Sequence, residues 1–165
     1  MSDAQLRGLF VTGSDTGIGK TAVTAAILHR LRGEGVRVGA YKPAVSGAMV
    51  TGNGSPRWDD VERLRDALGI DAAALADDVI SPQRFRAPLA PLLAAQMEGR
   101  QVDEGRLLSG LDFWRGRAEI VVVEGAGGLL SPLSDRLLNA DLARQMGFPL
   151  IVVCRRGLGA INQAL

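Results

Sequence analysis

Four apolar runs in this sequence are nearly unbroken: Leu9–Thr12, Val36–Tyr41, Ile120–Val123 and Leu150–Cys154. A strand with one wetted face alternates polar and apolar residues, so unbroken runs belong to a sheet covered on both sides. Segments with helical patterning separate them: Thr21–Leu31, Asp59–Leu68, Ala90–Met97, Asp103–Arg115 and Asn139–Met146. Strands alternating with helices predict an α/β chain, a parallel sheet with helices on both faces. No linker or repeat interrupts the pattern, so residues 1–165 read as a single domain. Within Asp103–Arg115, Leu107, Leu111 and Trp114 share one helical face and read as core. Pro43–Trp58 and Gly125–Leu133 carry the glycines and prolines of long loops, which in compact domains are often functional.

Composition narrows the partners. Nineteen basic against eighteen acidic side chains leave a net charge of +1, so no broad basic field for nucleic acid exists and anion binding must be local. No run is apolar for long enough to span a bilayer. The single cysteine, Cys154, permits no internal disulfide and suits a reducing compartment, the cytoplasm; inside its apolar run it reads as buried and inert. The segment from Gly159 to Leu165 reads as a helix start without a stop signal, the expectation for a sequence cut short.

Of the nineteen basic residues only Lys20 and Lys42 are lysines; the rest are arginines. An ammonium is a compact point charge that can crowd against phosphate oxygens, whereas a guanidinium is a wide planar fork. Lys20 lies in Gly13-Ser14-Asp15-Thr16-Gly17-Ile18-Gly19-Lys20-Thr21, between a strand and a helix. That is the setting of a phosphate-binding loop, with backbone N–H groups and a helix N-terminus turned toward the anion. Lys20 would reach the β- and γ-phosphates and the Thr21 hydroxyl would ligate Mg²⁺. Five residues separate Gly13 from Gly19, one more than the usual spacing, and Ser14 occupies the usual glycine position.

Glu124 ends the Ile120–Val123 run and precedes Gly125-Ala126-Gly127-Gly128. A carboxylate at the C-terminal end of such a strand is well placed for Mg²⁺. Asp59 and Asp60 open a helix; one serves its N-terminus and the other could complete the metal site. Lys42, before Pro43, reads either as a solvated strand end or, given the scarcity of lysine, as a ligand-binding cation. His29 reads as structural or exposed, and Trp58 is ambiguous. No Cys/His cluster suggests zinc, no G-x-G-x-x-G suggests a dinucleotide, and no nucleophile motif accompanies His29.

The stretches FVTGSDTGIGKT (10–21), YKPAVSG (41–47), VVVEGAGGLLSPL (121–133), NADLA (139–143) and LGAIN (158–162) occur in the order found in dethiobiotin synthetases, and the chain resembles that family throughout. The five-residue spacing of the glycine loop is also the family's own. It departs from the family at Leu92 and Gln163, where histidine is common.

The resemblance implies a P-loop NTPase-like three-layer sandwich and an ATP-dependent ligase of biotin biosynthesis. The substrates would be ATP, CO₂ or bicarbonate, and 7,8-diaminononanoate. Carried over by motif, Gly17, Ile18, Gly19, Lys20, Thr21 and Ala22, with Asp60, Glu124, Gly125, Ala126 and Gly127, would bind ATP. Thr21, Asp60 and Glu124 would hold Mg²⁺, with Asp59 as the alternative acid. Lys42 would hold the substrate carbamate beside Ser46, and Lys20 and Lys42 would be the catalytic cations. The resemblance further implies a homodimer in which Leu158–Gln163 completes the partner's site. Competing expectations are a P-loop enzyme acting on another carboxylate or carbamate, and a partition-type ATPase. The latter usually has an additional lysine early in the loop, where Ser14-Asp15 stands here.

Overall fold

A computed structural model describes residues 6–69, 74–157 and 160. In chain order the elements are β1 (Arg7–Gly13), α1 (Lys20–Gly33), β2 (Val38–Tyr41), β3 (Ala44–Val45), β4 (Met49–Val50), β5 (Pro56–Arg57), α2 (Asp59–Leu68), α3 (Asp77–Ile80), β6 (Gln83–Arg84), α4 (Pro91–Met97) and α5 (Glu104–Ser109). A 3-10 turn (Gly110–Trp114), β7 (Ile120–Glu124), α6 (Asn139–Met146) and β8 (Leu150–Val153) follow.

The central sheet is parallel, in the order β2-β7-β1-β8. Val121, Val122 and Val123 of β7 are wholly buried, as their unbroken run requires. Each buried valine stabilises the fold by about 1.5–3 kcal/mol. The register sets Val11 beside Glu124 and Tyr41 beside Val123. The loops after β1, β2 and β7 therefore leave the sheet side by side at its C-terminal edge, the usual ligand edge of parallel α/β sheets. Helix α1 packs on the sheet and against α2, whose Val61, Leu64, Ala67 and Leu68 are buried.

The segment Asp103–Arg115 is not one helix. It changes to 3-10 geometry at Gly110, where an added Cβ would lie 2.2 Å from Tyr41 Oη. The Tyr41 hydroxyl donates to the carbonyls of Arg106 and Leu107, taking acceptors from the helix's last turn. Trp114 of this turn is buried as expected and lies against Gly39. The region Pro43–Trp58 is more ordered than a loop. Strand β3 pairs with β6 in parallel, and β4 with β5 in an antiparallel hairpin closed by Thr51, whose N–H and hydroxyl both donate to the Ser55 carbonyl.

The edge strand β8 departs from its expected double burial. Leu150 and Val152 are exposed, and no described element covers that face. Cys154 is a half-buried free thiol rather than a buried one. His29 is exposed, and Trp58 is a core residue whose indole N–H donates to the Phe85 carbonyl. The proposed shared turn, residues 158–163, lies outside the described residues apart from Ala160.

Candidate nucleotide and metal site

The glycine loop turns into α1 through two left-handed residues, Gly17 at φ 70° and Gly19 at φ 101°. A side chain at either position would be strained. Gly13 has a different role: an added Cβ there would lie 2.2 Å from Ile18 Cδ1 and 3.0 Å from the Val153 carbonyl, so its lack of a side chain lets Ile18 close over the strand end. The first N–H groups of α1 lack intrahelical acceptors, as at any helix N-terminus, which suits an anion there. Lys20 is buried, and its Nζ donates to the Asp15 carbonyl at 2.7 Å, folded over its own loop.

Beside this loop the structure gathers Thr21 from α1, Lys42 after β2, Asp60 from α2 and Glu124 from β7. The Thr21 hydroxyl lies 2.9 Å from Asp60 Oδ1 and 2.8 Å from Glu124 Oε1. Lys42 Nζ lies 2.6 Å from Glu124 Oε1 and 2.8 Å from Asp60 Oδ2. The β2–β7 register explains the first of these pairs, because Lys42 follows Tyr41 as Glu124 follows Val123. One cavity of about 380 Å³ holds Gly17, Gly19, Lys20, Thr21, Ala22, Lys42, Ser46, Asp60, Glu124, Ala126 and Gly127 in its wall. Asp59 lines the same cavity but is paired with Arg57 and Arg63 rather than with Thr21 or Lys42. Ile18 and Gly125 are not in that wall; Gly125 packs against Phe10 and Asn139.

Burial and charge act against each other here. Burial alone would lower the Lys42 pKa, but the charges and hydrogen bonds of Glu124 and Asp60 prevail and hold it above the ordinary lysine value. Burial would raise Asp60, yet Lys42, and then Thr21 and Lys20, bring it below the ordinary aspartate value. Lys20 is lowered, by burial first and by repulsion from Lys42 second. The cluster thus sets the two lysines against the two acids, with Lys42 in direct contact with both acids.

The donor set suits a hard divalent cation. Two carboxylates and a hydroxyl converge, and Glu124 Oε2 is buried without a hydrogen-bond partner. Mg²⁺ takes few protein oxygens and completes its shell with water and phosphate. Among the described residues no group of three His, Cys, Asp or Glu side chains forms a metal cage, so a metal here would rely on the Thr21 hydroxyl as well as the two acids.

Two supports were not legible in the sequence. Residues 42–48 are fastened to 80–87: Lys42 N–H donates to the Ile80 carbonyl at 2.7 Å and Gly47 N–H to Ala87 at 3.0 Å. Neither α3 nor β6 has a strong pattern of its own. The second support is Asn139, wholly buried beneath the Gly125–Gly128 loop. Its Oδ1 accepts from Ala126 N–H at 3.2 Å, and its Nδ2 donates to the Ala126 and Gly128 carbonyls. The NADLA motif was the available signal for it; Asp141 of the same motif caps α6 by accepting from Leu138 N–H.

Comparison with known proteins agrees with this geometry. Residues 7–165 match a family described as AAA domain. The chain is similar to "ATP-dependent dethiobiotin synthetase BioD" of Anaeromyxobacter dehalogenans (strain 2CP-C), with 46% identity over 157 residues, 95% of this chain and 67% of that protein. The protein of the same name from Aromatoleum aromaticum is 39% identical over 162 residues, 96% of this chain and 69% of its own. That from Bacillus velezensis is 36% identical over 157 residues, 95% and 64% respectively. The chain thus spans about two thirds of the length of these relatives. Family model, identity and fold agree, and the chain belongs to the ATP-dependent dethiobiotin synthetase family.

Proposed function

We propose that this protein closes the ureido ring of dethiobiotin, using ATP, CO₂ and 7,8-diaminononanoate. The supporting observation is that Lys42 and Ser46 share one cavity with Lys20, Thr21, Asp60 and Glu124. A partition-type switch would carry its additional lysine early in the glycine loop, where Ser14-Asp15 stands, whereas here the second lysine follows β2.

In this reading one amine of the substrate carries CO₂ as a carbamate, held by Lys42 and Ser46. A carbamate oxygen attacks the γ-phosphorus of ATP, breaking its bond to the bridging oxygen and releasing ADP. The second amine attacks the carbonyl carbon of the resulting mixed anhydride, loses a proton and expels phosphate, closing a five-membered urea. Thr21, Asp60 and Glu124 would hold Mg²⁺, which supplies charge neutralisation at the phosphates. Lys20 and the N–H groups of residues 17–22 orient the phosphate chain, and Ala126 and Gly127 line the opposite wall. The protein's contribution is positioning and preorganised charge, since phosphoryl transfer leaves it little covalent work.

We further read the enzyme as a single-domain, cytoplasmic homodimer. Its lone cysteine suits a reducing compartment, and no helix among the described residues is long and apolar enough to cross a membrane. The sequence Leu158-Gly159-Ala160-Ile161-Asn162 is the segment we assign to the neighbouring subunit's substrate carboxylate, on the family resemblance. A monomer in sedimentation velocity at micromolar concentration, with full activity, would remove the shared site. The activity itself is tested by incubating the protein with diaminononanoate, bicarbonate, ATP and Mg²⁺. Dethiobiotin is expected by mass spectrometry; phosphate release without it would point to another substrate.

A further inference from the structure

The site described above is built for a divalent cation, yet a protein cation already bridges its two acids. Lys42 Nζ contacts Glu124 Oε1 and Asp60 Oδ2, while Thr21 donates to the same Glu124 Oε1 and to the other Asp60 oxygen. Glu124 is 1% exposed and Lys42 is 3% exposed. Buried carboxylates this close together need a counter-charge. An ammonium and a divalent ion on the same oxygens would repel each other strongly at that separation and dielectric.

We infer that Lys42 holds Asp60 and Glu124 only while metal is absent, and leaves them for the Ser46 side of the cavity when Mg²⁺ and nucleotide arrive. This rests on the proposed reading of the site. Once off the carboxylates, Lys42 remains inside the cavity, where the remaining acid of the wall, Asp59, is already paired with Arg57 and Arg63, so it pairs with an anion brought by the ligands. The anions available there are the terminal phosphoryl group and the carbamate. Lys42 thus reaches the reacting oxygens only after the nucleotide is loaded, and the same ammonium serves both arrangements. Free Mg²⁺ alone competes poorly, because it must displace a buried, doubly hydrogen-bonded ammonium with no phosphate present to receive it.

The two-lysine composition makes this testable directly. Protein labelled with [¹⁵N]lysine gives two side-chain Nζ signals, and Lys20→Ala identifies which is which. In the nucleotide-free protein the Lys42 ammonium protons should exchange slowly with water. Mg²⁺ alone should leave the signal unchanged, and Mg²⁺ with ADP and inorganic phosphate should shift it. A Lys42 signal lost to fast exchange from the start overturns the inference. So does a Lys42 signal that stays fixed while calorimetry shows Mg²⁺-dependent nucleotide binding. If calorimetry shows no nucleotide binding at all, the reading of the site falls and this inference with it. As an independent arm, Lys42→Met should bind Mn²⁺ without nucleotide about tenfold or more tightly than wild type, read by electron paramagnetic resonance. Equal or weaker binding in a variant whose circular dichroism shows it folded counts against the exchange.

Discussion

Lys42 Nζ lies 2.6 Å from Glu124 Oε1, and both side chains are closed to solvent. Removing one member of such a pair leaves a buried charge uncompensated, at a cost of about 3–5 kcal/mol. Lys42→Met should therefore lose about that much stability in urea unfolding. Lys42→Met with Glu124→Gln should regain most of it. Equal losses in the single and double variants would show that the pair carries little of the site's stability.

Lys20 is folded over its own loop, with Nζ 2.7 Å from the Asp15 carbonyl. A guanidinium keeps the charge but cannot enter a cradle sized for an ammonium. Lys20→Arg is expected to lower kcat/KM for ATP at least about a hundredfold, or ~2.7 kcal/mol of transition-state stabilisation. Near-normal turnover would contradict the phosphate-loop role.

Asp60 and Asp59 are neighbours with different partners. Asp60 meets Thr21 and Lys42, whereas Asp59 meets Arg57 and Arg63 on the surface. Asp60→Asn should raise the Mg²⁺ concentration for half-maximal activity by about tenfold or more, since the amide loses the anionic ligand. Asp59→Asn should change it less than about twofold, as expected of an exposed pair. Metal titrations of both variants decide between them, and Glu124→Gln should follow Asp60→Asn.

The same cluster sets a pH window for stability. Asp60 is held below its ordinary value of 3.8, so its contribution is present above that value and lost as pH falls through the folded one. Lys42 is held above its ordinary value of 10.5, so its contribution is full below that value and lost as pH rises through the folded one. Asp60→Asn should flatten the acid limb of unfolding free energy against pH, and Lys42→Met the alkaline limb. Unaltered limbs in both variants would rule out the linkage.

Asn139 is not in the wall of the cavity around Lys20 and Glu124 but holds the loop that forms part of it. Asn139→Ala leaves buried loop groups unpaired, and a loss of about 2–4 kcal/mol is expected from several such bonds. Amide hydrogen exchange at Ala126 should accelerate more than that of the β7 amides. Uniform acceleration across both would make Asn139 a general core residue instead.

The strand at Ile120–Val123, the helix at Asn139–Met146 and the turn into Lys20 were legible because each is a local matter. An unbroken branched-apolar run, a helical period and a glycine at positive φ are constraints within a few residues of chain. Helix α2 was legible to the residue for the same reason, since acids open it and Gly69, at φ 63°, ends it. The hairpin at Met49–Arg57 and the strap at 80–87 were not. Their strands are two residues long, and their order comes from partners elsewhere in the chain rather than from a period of their own.

The sequence by itself determined the alternation of strand and helix and the chemical character of the two lysines, two neighbouring aspartates and one strand-end glutamate. Only the tertiary structure decided which of them meet. Asp59 and Asp60 are equivalent acids in sequence, but α2 packs on α1 and β2 with Val61 and Leu64 buried, and that docking brings Asp60 to Thr21. Lys42 is a strand-end lysine that could have been solvated. The register of β2 on β7 places it beside Glu124 instead, because residues at matching positions on parallel neighbours stand side by side. Register and helix docking depend on contacts between residues far apart in the chain, which is why neither could be read from local pattern.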